Sequence, residues 1–93
     1  MVTAFILIKA VPSRIQAIAQ EALDVPGIVE AYSVAGLWDL VAVARVRKND
    51  ELAGVVTESM IGISGITETN TLIAFRQYSS HDLEAMFGLG AET

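Results

Sequence analysis

Apolar residues fall in two kinds of run along this chain, and the difference predicts where strands and helices lie. Phe5-Ile6-Leu7-Ile8 and Leu40-Val41-Ala42-Val43-Ala44 are continuously apolar over strand-length windows, the pattern of strands buried on both faces and therefore central in a sheet. Ile28 to Ala35 is interrupted by Glu30 and Ser33, as on an edge strand. Ile66 to Tyr78 opens with Thr67, Thr69 and Thr71 alternating against Glu68 and Asn70 and turns apolar only in its second half. Between these stretches, Ile15, Ile18, Ala19, Ala22 and Leu23 share one helical face, and Leu52, Val55, Val56, Ser59, Met60 and Ile63 share another. Ser13 and Gln16 have the spacing of a capping box at the first helix, and Asn49 or Asp50 caps the second. Ser80 starts a short C-terminal helix presenting Leu83, Met86 and Phe87.

The segment Pro26-Gly27-Ile28-Val29-Glu30 recurs as Ser64-Gly65-Ile66-Thr67-Glu68, each time after a helix and a buried strand. The chain is thus two strand-helix-strand halves, joined by a reversal at Ala35-Gly36-Leu37 where Gly36 supplies a positive φ. Right-handed crossovers then predict an α+β, ferredoxin-like βαββαβ domain spanning residues 1–93. Its four-stranded antiparallel sheet has the order 4-1-3-2, with both helices on one face and a short C-terminal helix added.

Helices on one face leave the other bare, and it includes alternate residues of Phe5 to Ile8 and of Leu40 to Ala44. Burying on the order of 600 Å² of such a face is worth about 15 kcal/mol at ~25 cal/mol per Å², before the cost of association. Composition points the same way, since 53% of the 93 residues are hydrophobic and only 18% charged. A sheet-to-sheet homodimer is predicted.

Charge and residue usage exclude several functions. A net charge of -5 offers no footprint for nucleic acid or an anionic membrane. The absence of cysteine removes disulfides, thiolate chemistry and thiolate-held metals. The run Val2 to Ile8 ends at Lys9, has no basic flank before it and is too short to span a bilayer, so a cytoplasmic chain is expected. His81 lies between Ser80 and Asp82, but neighbours in sequence do not build a triad. Gly62-Ile63-Ser64-Gly65 lacks the glycine spacing of a nucleophile elbow, and Gly88-Leu89-Gly90 follows no strand. No enzyme activity, metal or cofactor is expected. The competing reading is a small dimeric ferredoxin-like enzyme, of the cofactor-free monooxygenase or isomerase type, which needs polar groups in a cavity between sheet and helices.

Asp39 at the mouth of a strand changes the picture. A carboxylate there must be solvated, paired or available to a cation. With the glycine loop beside it, Asp39 suits the ammonium of an amino-acid zwitterion, whose carboxylate would find bare backbone N–H groups around Gly36. The plainer reading is a turn glycine chosen for its φ and an aspartate bonding the turn's own amides. Arg45, Arg47 and Lys48 form a small basic patch that reads as a solvated strand end.

Three stretches together carry a family resemblance: Val2-Thr3-Ala4-Phe5-Ile6-Leu7-Ile8, Tyr32-Ser33-Val34-Ala35-Gly36-Leu37-Trp38-Asp39-Leu40, and Thr69-Asn70-Thr71-Leu72-Ile73-Ala74-Phe75. The chain resembles the C-terminal effector-binding (RAM) domain of the Lrp/AsnC transcriptional regulators over nearly its whole length. The Gly-x-aromatic-Asp motif and the Thr-x-Thr of the last strand are the specific elements. The resemblance implies homodimers that assemble further, up to tetramers of dimers, with small amino-acid effectors bound between dimers. It also implies a ligand site at Val34, Ala35, Gly36, Leu37, Trp38, Asp39 and Leu40, joined by Thr69 and Thr71. Trp38 stands where tyrosine or phenylalanine is usual, which alters the pocket's size. The sequence starts at the first sheet strand, without the family's helix-turn-helix, so it is similar to the stand-alone members. Such a protein is expected to act on transcription through full-length Lrp/AsnC partners or by sequestering effector, with no direct nucleic-acid or membrane contact.

Overall fold

Strand β1 (Val2–Ala10) is the spine of the sheet, pairing antiparallel with β3 (Leu40–Val46) on one side and β4 (Ile66–Ile73) on the other. Strand β2 (Ile28–Ser33) pairs with β3, which completes the order β2-β3-β1-β4. This is the expected topology read from the opposite edge. The structure, a computed structural model, describes residues 1–80. The expected C-terminal helix with Leu83, Met86 and Phe87 falls outside the described residues, as does His81.

The side-chain period of two assigns the faces. Ala4, Ile6, Ile8 and Ala10 of β1 point toward the helices and are buried, and Ala44, Ala42 and Leu40 lie opposite the first three in register. Helix α1 (Ile15–Leu23) and helix α2 (Asn49–Ala53), the latter prolonged through Gly54–Met60, cover this face. Small residues at positions 4, 42 and 44 let the helices approach, while Ile6, Ile8, Ile18, Leu40 and Met60, each under 2% exposed, fill the layer. No polar or charged residue among the described ones is buried. The polar interior that the enzyme reading requires is therefore not built by these residues.

Several local expectations are corrected. No capping box forms: Pro12–Arg14 makes a 3-10 turn, the Arg14 N–H donates to the Val11 carbonyl at 2.9 Å, and no side chain caps α1. Proline's fixed φ favours the tight turn, and the helix starts one step after it. Leu23 is 50% exposed and not on the dry face. Lys48, not Asn49 or Asp50, is the N-cap of α2, and Asp50 and Glu51 instead occupy the first turn, where the helix dipole favours them. Strand β2 ends at Ser33 and β4 at Ile73, short of Ala35 and Tyr78, while β3 runs on to Val46.

The second helix departs from regular α geometry for a packing reason. Beyond Ala53 it widens to π spacing, with the Ile61 N–H donating to the Val56 carbonyl five residues back at 3.2 Å. An unbroken α-helix would aim Ser59 where Val55 points. The extra residue brings Met60 into the core instead, fully buried beside Leu52 and Val55.

The internal repeat survives in three dimensions. Gly27 and Gly65 have φ of 101° and 98°, and each passes its carbonyl to a neighbouring segment, Gly27 to the Arg45 N–H at 2.8 Å and Gly65 to the Val11 N–H at 2.9 Å. Arg14 locks the second of these turns, because its guanidinium donates to the Ser64 carbonyl and pairs with Glu21 at 2.6 Å.

The opposite sheet face has no helix over it. Phe5, Leu7, Val41 and Val43 lie on it, with Tyr32 and Leu72 on the flanking strands. Val43 is only 4% exposed and stands outside the main core cluster, enclosed in register by Phe5 and Glu30. Phe5, Tyr32 and Leu72 are 39%, 49% and 49% exposed. Among the described residues no helix is long and apolar enough to cross a membrane.

Candidate functional site

The hairpin loop between β2 and β3 is closed at its base by a 3.0 Å bond from the Val34 N–H to the Asp39 carbonyl. The Asp39 N–H donates in turn to the Ile8 carbonyl at 2.9 Å, which fixes the loop against the end of β1. Gly36 at the tip has φ of 125°, and a Cβ there would meet nothing within 4 Å. Glycine is required for conformation, and the space above it is open.

Asp39 spends one oxygen on the fold. Pairing of β1 with β3 stops at Ile8, and its register with β4 shifts between Lys9 and Ala10, so the Ala10 amide has no regular ladder partner. Asp39 Oδ2 accepts from this amide at 3.0 Å. The carboxylate thus serves strand β1 and not the turn's own amides. Its second oxygen, Oδ1, has no hydrogen bond among the described residues.

Around Asp39 the loop is apolar and open. Leu37 is 83% and Val34 38% exposed, with Ala35 exposed between them. Trp38 is half-buried, with the Lys9 ammonium 5.9 Å from its ring centroid. Leu40 is 1% exposed and points into the core, so only its backbone is available to a ligand.

Thr69 and Thr71 lie opposite Ile8 and Ile6 on the helix-side face of β4 and are half-buried. With β1 between them and β3, Thr69 stands about 10 Å from Leu40 at the usual strand spacing. One chain therefore does not bring the threonines and the Gly36 loop onto a single small ligand. Thr69 instead borders a separate cavity of about 180 Å³ with Thr67, Glu68, Ile61 and Ile66. Among the described residues no group of three or more His, Cys, Asp or Glu side chains gathers as a metal site.

A further cavity, missed in reading the sequence, lies at the other end of the sheet. It measures about 320 Å³ and includes Arg45 and Arg76. Alternation along β3 turns Arg45, grouped above with Arg47 and Lys48, onto the bare face opposite Thr3, while Arg47 and Lys48 lie beyond the end of the strand at Val46. Residue parity was the available signal.

Comparison with known proteins gives this geometry its context. Residues 3–83 match the family described as the Lrp/AsnC ligand binding domain. An uncharacterized HTH-type transcriptional regulator of Pyrococcus furiosus is 32% identical over 76 residues, covering 78% of this chain and 51% of the relative. The chain thus spans about half the length of the curated relatives it matches. The crystal structure of TTHA0845 from Thermus thermophilus is 42% identical with a TM-score of 0.80, over 85% of this chain and 99% of that one. The feast or famine regulatory protein Rv3291c of M. tuberculosis, complexed with L-methionine, shares the fold at 21% identity and a TM-score of 0.72, over 86% of this chain and 54% of that one.

The fold is the ferredoxin-like one of effector-binding domains from transcription regulators. This chain belongs to the Lrp/AsnC family, in its ligand-binding domain.

Proposed function

We propose that this chain is a non-catalytic amino-acid-sensing and oligomerisation domain that acts in the cytoplasm without a cofactor. The single observation that carries this reading is the divided use of Asp39. Oδ2 is anchored to the Ala10 amide, and Oδ1 is left at the edge of a loop whose tip carries no side chain. An ammonium group can pair with that oxygen without disturbing the fold, and the ligand carboxylate finds donors in the backbone around Gly36. Val34, Ala35, Leu37 and Trp38 supply the apolar surround, and Leu40 contributes backbone alone. Thr69 and Thr71 join the site only from a neighbouring copy, which agrees with effectors held between dimers. The methionine bound to the M. tuberculosis relative supports an amino acid as the ligand class.

The dimer is the sheet-to-sheet pair that covers Phe5, Tyr32 and Leu72, and further assembly of such dimers, up to a tetramer of dimers, juxtaposes their loops. Regulation follows by mixed assembly with full-length Lrp/AsnC regulators or by withholding effector from them. Titration calorimetry with a panel of amino acids tests the site. Heat is expected from at least one amino acid and is lost in Asp39→Asn, which retains an oxygen for Ala10 but not the charge. An absence of heat from every amino acid contradicts the proposal.

A further inference from the structure

The bare sheet face carries charge as well as apolar area, and its two signs do not pair within the chain. Glu30 stands opposite Val43, exposed, and its Oε2 accepts the Tyr32 hydroxyl at 2.8 Å. Covering Tyr32, which is 49% exposed, therefore takes the Glu30 carboxylate out of water with it. At the N-terminal end of β1, the Ala74 N–H donates to the Thr3 carbonyl at 2.8 Å and carries the chain one step past β4. Phe75, Arg76 and Gln77 there line the cavity of about 320 Å³ together with Thr3, Phe5 and Arg45. Arg45 and Arg76 are exposed, no acidic residue lines the cavity, and neither guanidinium forms an ion pair among the described residues. A carboxylate about to lose its water and two guanidiniums with no carboxylate of their own thus share the surface to be covered.

We propose that this cavity is a socket of the sheet-to-sheet dimer, filled by Glu30 of the second copy, which pairs there with Arg45 and Arg76. The inference rests on the dimer of the proposed function and adds the register in which the two sheets meet. A two-fold interface repeats every contact, so both sockets fill together. Glu30 is the acid placed to do so. Asp39 and Glu68 stand at the opposite end of β1, beside Ala10 and opposite Lys9, and the other described acids lie in or next to the helical segments. Planar guanidiniums bind a carboxylate bidentately, and the Tyr32 ring that accompanies Glu30 meets the aromatic surface of Phe5 and Phe75. Glu30 is opposite Val43 and Arg45 is two residues beyond it, so the axis that relates the two sockets runs close to Val43 in the apolar patch. Any other register buries Glu30 or Arg45 unpaired, and the charge pair therefore selects one packing of two otherwise apolar sheets.

The test is sedimentation equilibrium of the full chain and of charge-reversed variants, with circular dichroism to establish that each keeps the parent fold. Glu30→Arg, Arg45→Glu and Arg76→Glu are each expected to raise the dimer dissociation constant about tenfold or more. Arg47→Glu, beyond the end of β3, is expected to leave it within about twofold. The decisive sample is an equimolar mixture of Glu30→Arg and Arg45→Glu. Each variant alone sets like charges in its sockets, whereas a mixed pair sets arginine against glutamate in both, so native mass spectrometry is expected to show heterodimers in excess of either homodimer. A contact made only within one chain would stay repulsive in that mixture and give no such excess. The proposal is overturned if any of the three reversals leaves the dissociation constant unchanged, or if the mixture forms no heterodimer. A parent chain that is itself monomeric overturns it together with the proposed dimer, whereas a parent dimer indifferent to the reversals overturns the socket alone.

Discussion

The carboxylate of Asp39 accepts a 3.0 Å hydrogen bond from the backbone N–H of Ala10, 29 residues earlier in the chain. This contact ties the hairpin loop to the end of the central strand at the point where the strand's register with β4 breaks. The residue offered to a ligand is thus also a residue the fold uses, and its two functions are separable by substitution.

Asp39→Asn preserves the acceptor and is expected to leave stability within about 0.5 kcal/mol of the parent, whereas Asp39→Ala strands the Ala10 amide and costs roughly 1–3 kcal/mol. Urea unfolding measures the difference. Both variants are expected to lose amino-acid binding, since both remove the charge.

Two glycines respond in opposite directions to alanine. At Gly65, φ is 98° and the added Cβ would lie 2.9 Å from Arg14 Cβ, so Gly65→Ala is expected to lose about 1–3 kcal/mol. Gly54 has a helical φ of -62° with open space at its Cβ position, and Gly54→Ala is expected to gain roughly 0.5–1 kcal/mol. Thermal melts of the two variants check the sign.

Leu72 lies opposite Phe5 on the bare face and is 49% exposed. Leu72→Asp places a charge where a second copy is proposed to pack, and is expected to reduce the subunit number in analytical ultracentrifugation while circular dichroism keeps the parent spectrum. An unchanged sedimentation coefficient counts against this face as the interface.

The Tyr32 hydroxyl donates to Glu30 Oε2 at 2.8 Å, and that bond together with the negative charge of Glu30 raises the phenol above its ordinary value of 10.0. The neutral phenol is the form favoured in the folded chain. Its contribution to stability is fully present below the unfolded value and is lost as pH rises through the raised folded one. Ultraviolet titration is expected to show Tyr32 ionising above 10.0, and Glu30→Ala to bring the midpoint down.

What was readable in the sequence followed from burial. Phe5 to Ile8 and Leu40 to Ala44 are apolar at every position because both faces of a central strand avoid water, and they indeed form β1 and β3. Gly27 and Gly65 marked equivalent turns since only positive φ continues the chain there. Effects that act across the sequence were not readable. The Asp39 contact with Ala10 depends on a register shift against β4, and Met60 displaces Ser59 from the core only once the helix widens. Arg45 and Arg76 lie 31 positions apart and meet only because β3 and the segment after β4 both finish at the same end of β1. The resemblance named the Gly36 loop and the two threonines together, and one chain keeps them on separate strands with β1 between.

The sensor reading depends on the bare face of the sheet being covered by another subunit, and native mass spectrometry at micromolar concentration measures that. The expected spectrum shows dimers or multiples of dimers, with a small molecule retained or accepted on addition of an amino acid. A spectrum of monomers alone, unchanged by any amino acid, contradicts it.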